Sequence, residues 1–112
     1  MYIVNLTPHD VNVLLEDGVI LTFPPTIPAA RVKTNNVLIG MVGEIPIYQV
    51  VYEDVENLPE PMEDTVFIVS AIVATAVKDR MDVFAPDTGA SAIRGEGGKG
   101  SKIDAVRGFL HY

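Results

Sequence analysis

The chain has 112 residues and no cysteine, 48% of its residues are hydrophobic, and 15 acidic against 8 basic side chains give a formal net charge of −7. This length predicts a single domain over residues 1–112 with a core of its own, and the lack of cysteine excludes a disulfide framework and thiolate metal sites. No apolar run approaches the roughly 20 residues of a membrane span. The first residues show neither a basic region nor a separate apolar segment, so we expect no secretory leader. We therefore expect a cytoplasmic protein that does not enter membranes.

The first half of the chain predicts strands joined by tight turns. Residues 2–6 form a short strand that ends at Thr7-Pro8, because proline lacks a backbone donor. Residues 10–15 and 19–23 flank Asp17-Gly18, the strongest hairpin signal in the chain. Beyond a proline-rich connection, residues 31–34 predict a short strand followed by a turn at Asn35-Asn36. Residues 37–42 and 45–52 then predict a second hairpin around Gly43-Glu44.

The second half predicts one buried strand at residues 66–69 and one helix. Ser70 can cap a helix over residues 71–78. Residues 80–89 are predicted to be irregular, Gly95 to Gly100 to be a glycine-rich loop, and residues 103–112 to be a closing strand. The fold class expected is α+β, with one helix packed on a small, mainly antiparallel sheet. Closure of that sheet into a barrel is left open.

The charges are distributed unevenly along the chain. Residues 1–64 hold 10 acidic and 2 basic side chains, whereas residues 65–112 hold 5 acidic and 6 basic ones. Nucleic-acid binding needs clustered lysine and arginine to neutralise phosphates, so we expect no nucleic-acid partner. A pocket for one small anionic ligand needs only two or three converging cations. The second half can supply them.

Two glycine-containing motifs imitate known catalytic or binding signatures. Asp87-Thr88-Gly89 resembles the catalytic triplet of retroviral-type aspartic proteases, but it follows Pro86 and only 23 residues remain after it. We expect a β-turn in which Asp87 bonds its own backbone and Gly89 supplies a positive φ. Gly95, Gly97 and Gly100 match a dinucleotide fingerprint in spacing only, because a strand and not a helix is expected after them.

Polar side chains in the turns are the remaining candidates for chemistry. Thr7-Pro8-His9-Asp10 brings together a hydroxyl, an imidazole and a carboxylate, which suits either general acid–base catalysis or a hydrogen-bonded turn. The chain has two histidines, too few for a multi-histidine metal centre, and we expect no metal and no cofactor. Arg80 with Asp82, and Arg94 near Asp87, could form structural ion pairs or a bidentate site for phosphate or carboxylate.

Several stretches of the chain occur together in a fixed order. They are I-V-N-L-T-P-H at 3–9, L-P-E-P at 58–61, F-I-V-S-A at 67–71, R-M-D-V-F-A-P-D-T-G at 80–89 and A-I-R at 92–94. With these stretches in this order, the chain resembles a family of small, largely uncharacterised proteins encoded by bacteria and their phages. The resemblance implies a phage or prophage protein in the cytoplasm of a bacterial host cell, and it implies no established activity. The glycine-rich segment after Arg94 departs from the family's pattern.

Three functions remain open from the sequence. We expect first a small ligand-binding protein, not an enzyme, that sequesters a phosphorylated, nucleotide-type molecule of defence signalling and pairs its subunits into a homo-oligomer. The alternatives are a small hydrolase or transferase that uses His9 with Asp10 or Asp82, and a structural or protein-interaction module of phage origin. The expected ligand-binding residues are the polar motif residues, namely Asn5, Thr7, His9, Ser70, Arg80, Asp82, Asp87, Thr88 and Arg94.

Overall fold

The computed structural model describes residues 1–95 and 103–112. Short strands dominate these residues, together with one helix of six residues. In chain order the elements are β1 (Tyr2–Asn5), β2 (Val11–Leu14), β3 (Ile20–Phe23), β4 (Arg31–Val42), β5 (Ile45–Glu56), β6 (Thr65–Ile68), α1 (Ala71–Ala76), β7 (Val83–Pro86), β8 (Ile93–Arg94), β9 (Ile103–Ala105) and β10 (Phe109–Leu110).

The centre of the fold is a four-stranded sheet in the order β1-β6-β7-β10. β6 pairs in parallel with β1 on one side and with β7 on the other, and β10 closes the sheet antiparallel to β7. Neighbouring parallel strands need a crossover connection, and α1 lies in the crossover between β6 and β7. Ser70 caps this helix by accepting a hydrogen bond from the backbone N–H of Val73, as expected.

Both faces of the central sheet are covered. Side chains alternate between faces along a strand, and β6 shows this directly. Phe67 and Val69 pack with the helix residues Val73 and Ala74, while Ile68 packs with Val11, Val13 and Val106. One face is therefore covered by α1, and the other by the segments that carry β2 and β9.

The two predicted hairpins are confirmed. β2 and β3 pair around Asp17-Gly18, with Gly18 at φ 87°. β4 and β5 pair around Gly43-Glu44, but both strands are longer than expected. The predicted turn at Asn35-Asn36 is wrong, because these residues lie inside β4 opposite Val51 and Val50. Continuous cross-strand pairing outweighs the turn preference of two asparagines.

Other expectations need correction. The described residues contain several separate sheets and no closed barrel, and the central sheet is parallel over three of its strands. Residues 80–89 are not wholly irregular, since β7 forms there, and α1 ends two residues before the predicted Lys78. Residues 103–112 form two short strands separated by residues 106–108, and the Gly108 carbonyl accepts a hydrogen bond from Asp87 N–H. The glycine-rich loop predicted over residues 95–100 lies, apart from Gly95, outside the described residues.

The β4–β5 hairpin gives the molecule an extended outline. Its radius of gyration is 16.6 Å, compared with about 13 Å for a compact chain of this length. The principal extents are 55, 40 and 22 Å. Among the residues that the structure describes, no helix has the length and apolar character needed to cross a membrane.

A candidate binding cleft at the carboxyl edge of the parallel strands

Three of the motifs found in the sequence converge at one edge of the central sheet. The turn at Thr7-Pro8-His9 follows β1, Ser70 follows β6, and the turn at Asp87-Thr88-Gly89 follows β7. Because these three strands are parallel, their carboxyl ends meet at the same edge. In open α/β sheets this edge is the usual place for a ligand site.

An open cleft of about 900 Å³ lies at this edge. Its lining combines polar side chains with an apolar floor. The lining residues are Thr7, His9, Asp10, Val11, Asn12, Ser70, Ala71, Pro86, Thr88, Arg94, Ile103, Asp104, Ala105 and Val106. Five of the residues expected to bind a ligand are among them, namely Thr7, His9, Ser70, Thr88 and Arg94.

Asn5 lies beneath the cleft and does not line it. Its side chain is 1% exposed, and Nδ2 donates hydrogen bonds to the carbonyls of His9 (2.8 Å) and Phe23 (2.7 Å). Its Oδ1 accepts from the N–H (2.9 Å) and the hydroxyl (2.7 Å) of Thr7. With both donors and the acceptor engaged, Asn5 fixes the turn that carries His9. The Thr7 hydroxyl belongs to the same network and also lies 3.0 Å from the His9 carbonyl.

Asp87 likewise shapes the turn in which it lies. Its Oδ1 accepts from Gly89 N–H at 3.1 Å and its Oδ2 accepts from the Ser91 hydroxyl at 3.1 Å. The predicted hydrogen bond between Asp87 and the backbone of its own segment is therefore confirmed, whereas Pro86, the first residue of the expected β-turn, lies in β7. The positive φ expected at Gly89 is wrong, because Gly18 and Gly43 are the glycines with positive φ among the described residues. Close approach matters at Gly89 instead, since a Cβ there would lie 3.2 Å from Asp87 Oδ1.

Ser70, His9 and Thr88 retain hydrogen-bonding capacity at the cleft. Ser70 Oγ accepts a long hydrogen bond of 3.5 Å from Val73 N–H, so its own proton stays available. Within the described residues the side chains of His9 and Thr88 make no hydrogen bond to other side chains or to the backbone. Arg94 Nη2 donates to the Thr88 carbonyl at 3.1 Å, which places its guanidinium at the wall of the cleft.

Arg80 and Asp82 lie at the opposite end of β7. Arg80 Nε and Nη2 bind the two carboxylate oxygens of Asp82 at 3.0 and 2.7 Å, and Nη1 donates to the Pro59 carbonyl at 2.8 Å. Its guanidinium also lies 5.8 Å from the centre of the Phe67 ring. The Arg80 hydrogen bond holds the pKa of Asp82 below its usual value. β7 is four residues long, about 13 Å, so Arg80 and Arg94 do not meet in one site.

Asn12 and Asp104 also line the cleft, although the sequence pattern does not predict a site at either residue. Asn12 Nδ2 donates to the Asp104 carbonyl at 3.1 Å, and its Oδ1 accepts from the Thr22 hydroxyl at 2.8 Å. The one available signal was a polar residue between Val11 and Val13, which simple alternation also explains. No group of three or more histidine and acidic side chains suited to a metal ion occurs in residues 1–95 and 103–112.

Comparisons of the chain with protein-family models, with curated proteins and with solved structures found no match. The resemblance to small bacterial and phage proteins therefore stays a prediction from the motifs. The placement of those motifs along the carboxyl edge of the sheet is the basis for assigning a function.

Proposed function

We propose that the protein binds a small phosphorylated ligand of the nucleotide type in this cleft and sequesters it without chemical change. The observation that carries the proposal is the convergence of the three turns after β1, β6 and β7 on one open cleft. In a bacterial cell infected by a phage, such a protein would lower the free concentration of a nucleotide defence signal.

The chemistry of the cleft suits a phosphate joined to an apolar ring. Arg94, which also donates to the Thr88 carbonyl, supplies a positively charged guanidinium, a group well suited to pairing with phosphate. The hydroxyls of Ser70 and Thr88 are additional donors at the same edge. Val11, Ile103 and Val106 form an apolar floor against which a base could pack, and Asp10 and Asp104 can accept hydrogen bonds from ribose hydroxyls. The volume of about 900 Å³ lies within the range of small-molecule sites, about 300–1,000 Å³.

The geometry favours sequestration over hydrolysis or transfer. A general base is normally held by a hydrogen bond to an orienting carboxylate. Among the described residues no hydrogen bond or ion pair joins His9 to Asp10, although both line the cleft. Asp82, the other carboxylate considered for His9, is bound to Arg80 at the far end of β7.

Isothermal titration calorimetry with a defined panel tests the proposal. The panel is adenosine monophosphate, ADP-ribose and a cyclic dinucleotide, with uncharged adenosine as the matched control. We expect at least one phosphorylated member to bind and adenosine to bind far more weakly, since Arg94 has no anion to pair with in adenosine. Chromatography of the ligand after prolonged incubation should return it unchanged. Equal binding of adenosine, or no binding at all, contradicts the proposal and favours a structural or interaction module.

Two matched variants assign the binding to the cleft. Arg94→Met removes the guanidinium and should weaken binding about 10- to 100-fold, as expected for hydrogen bonds to a charged group. Arg107→Met removes an exposed guanidinium that does not line the cleft, and binding should be unchanged. Equal loss in both variants would mean that the ligand responds to overall charge, and the assignment to the cleft would fail.

A further inference from the structure

The β4–β5 hairpin has a large apolar surface that the described residues, 1–95 and 103–112, leave uncovered. Residues 33–54 are exposed throughout, with Gly40 alone half-buried. A two-stranded hairpin is at best marginally stable in water on its own. Between Thr34 and Tyr52 the segment carries one charged residue, Glu44, at its turn. A surface this apolar and this weakly charged is typical of an interaction site.

The strand register separates the two faces of the hairpin. Residues directly opposite each other share a face, and residues two apart on one strand do so as well. Leu38 pairs with Tyr48, Asn36 with Val50, and Thr34 with Tyr52. We call the face that carries these six residues the tyrosine face. Val37, which pairs with Gln49, lies on the opposite face. The register shifts between Leu38 and Gly40, and beyond the shift Met41 pairs with Pro46. Because Pro46 is two residues from Tyr48 on β5, Met41 also lies on the tyrosine face.

The tyrosine face continues a surface that is already part of the core. Val32 pairs with Val55 at the base of the hairpin, and both pack against the core cluster that contains Val73 of α1. Further from the body the same face loses its cover: Leu38, Tyr48 and Tyr52 are 57%, 55% and 57% exposed. A sheet face that begins in the core thus extends beyond the cover that the described part of the chain provides.

A groove at the base of the hairpin extends this surface. It has a volume of about 590 Å³ and lies between the end of β5 and α1, with Tyr52, Ile72 and Tyr112 in its lining. Ile72 and Tyr112 are both about half exposed. The hairpin and α1 together form a continuous apolar surface that is bent at the groove and exposed on one side.

We propose that the tyrosine face is covered by the tyrosine face of a second copy of this chain. In a closed dimer a surface patch of one subunit contacts the same patch of the other subunit across a two-fold axis. The patch must therefore be complementary to its own copy in length and polarity. The tyrosine face meets this condition, because an antiparallel arrangement brings no charge into its centre and keeps the two Glu44 turns at opposite ends. Each hairpin tip then reaches towards the groove of the other copy.

The area available is sufficient for a stable dimer. Half-exposed tyrosines offer about 100 Å² each and half-exposed aliphatic side chains about 50 Å² each. With Met41 and the groove residues included, one copy contributes on the order of 600 Å², and two copies bury about 1,200 Å². This total is at the lower end of stable interfaces, and tyrosines are among the residues enriched in their centres.

Neighbouring residues on opposite faces give a matched test. The molar mass of the full chain and of its variants is measured by light scattering after gel filtration, over a dilution series from roughly 1 to 100 µM, which covers moderate affinities. We expect the wild type to be a dimer, Leu38→Lys to be a monomer, and Val37→Lys to remain a dimer. Both residues are exposed, so circular dichroism spectra should match the wild type. Met41→Lys provides a second variant on the tyrosine face and should also give a monomer.

Three outcomes overturn the proposal. A wild type that is monomeric over the whole series shows that no second copy covers the hairpin. Dissociation by Val37→Lys to the same extent as by Leu38→Lys removes the tyrosine face as the interface. Dimers that persist in both Leu38→Lys and Met41→Lys place the contact elsewhere on the surface. The cleft at the carboxyl edge lies within one chain, so these outcomes are independent of ligand binding.

Discussion

Replacing Asn5 by alanine tests whether a conspicuous motif residue serves the fold or a ligand. The buried amide makes four hydrogen bonds, two to carbonyls and two to Thr7. The Thr7 hydroxyl can turn to the His9 carbonyl, which lies 3.0 Å away. Three bonds are then lost without replacement, at about 1 kcal/mol each. We therefore expect Asn5→Ala to lower the free energy of unfolding by about 3 kcal/mol, a substantial part of the 5–15 kcal/mol typical of a domain.

The matched control is Asn12→Ala. Asn12 also donates to a carbonyl and accepts from a hydroxyl, but at a solvent-accessible position, where water can replace the lost partners. Urea unfolding followed by circular dichroism should show a loss of less than about 1 kcal/mol for this variant. Equal losses in the two variants would refute the reasoning, as would a stable Asn5→Ala protein that had lost only ligand affinity.

Two further predictions concern the salt bridge before β7 and the long hairpin. Arg80 holds the pKa of Asp82 below the unfolded value near 3.9, so the pair stabilises the fold above that pH and loses its effect as pH falls through the lowered pKa. Urea midpoints should therefore fall less steeply below about pH 4 in Asp82→Asn than in the wild type. An unchanged slope contradicts this prediction. Gly43→Ala, at φ 59°, should destabilise the hairpin turn by about 1 kcal/mol. Gly40 has neither a positive φ nor near neighbours, so Gly40→Ala should leave the hairpin stable. Amide hydrogen exchange across β4 and β5 is measured in both variants. Equal exchange rates in Gly43→Ala and Gly40→Ala would refute the argument that alanine strains the turn at residue 43.

Local signals in the sequence are sufficient for the two hairpin turns and for the helix cap. Asp17-Gly18, Gly43-Glu44 and Ser70 were predicted correctly, because the backbone groups that they serve lie within a few residues of each one. A positive φ at Gly18 or Gly43 and a hydroxyl at a helix start are requirements of nearby chain alone.

The parallel sheet could not be predicted in the same way, because the evidence for β7 is not local. This strand has four residues and ends in Pro86, and the stretch before it contains charged residues that are typical of a loop. It becomes a strand through pairing of Val83 and Phe84 with Phe67 and Ile68 of β6. Without β7 the chain gives no sign that the turns after three strands share an edge.

Because β7 is not predicted from the sequence, the different positions of Arg80 and Arg94 are not predicted either. Arg80 and Arg94 are both arginines on irregular segments beside an aspartate, so sequence gave them equal weight. Once β7 is placed between them, Arg80 belongs to the amino end, where a carboxylate and a carbonyl occupy its guanidinium. Arg94 belongs to the carboxyl end and lines the cleft. The topology of the sheet, more than the identity of the side chains, separates the two roles.

The topology also explains why the cleft opens at the carboxyl edge. After β1 the chain turns to β2 and covers the sheet face of Ile68. After β6, the next strand in the sheet, it turns to α1 and covers the face of Phe67. Adjacent parallel strands whose connections leave to opposite faces separate a crevice between their ends, which is the switch-point rule for open α/β sheets. His9 and Ser70 stand on its two sides, and the buried amide of Asn5 keeps the first side rigid. A rigid turn on one side and a helix cap on the other fix the two walls of the crevice, and for the proposed ligand this would lower the ordering cost of binding.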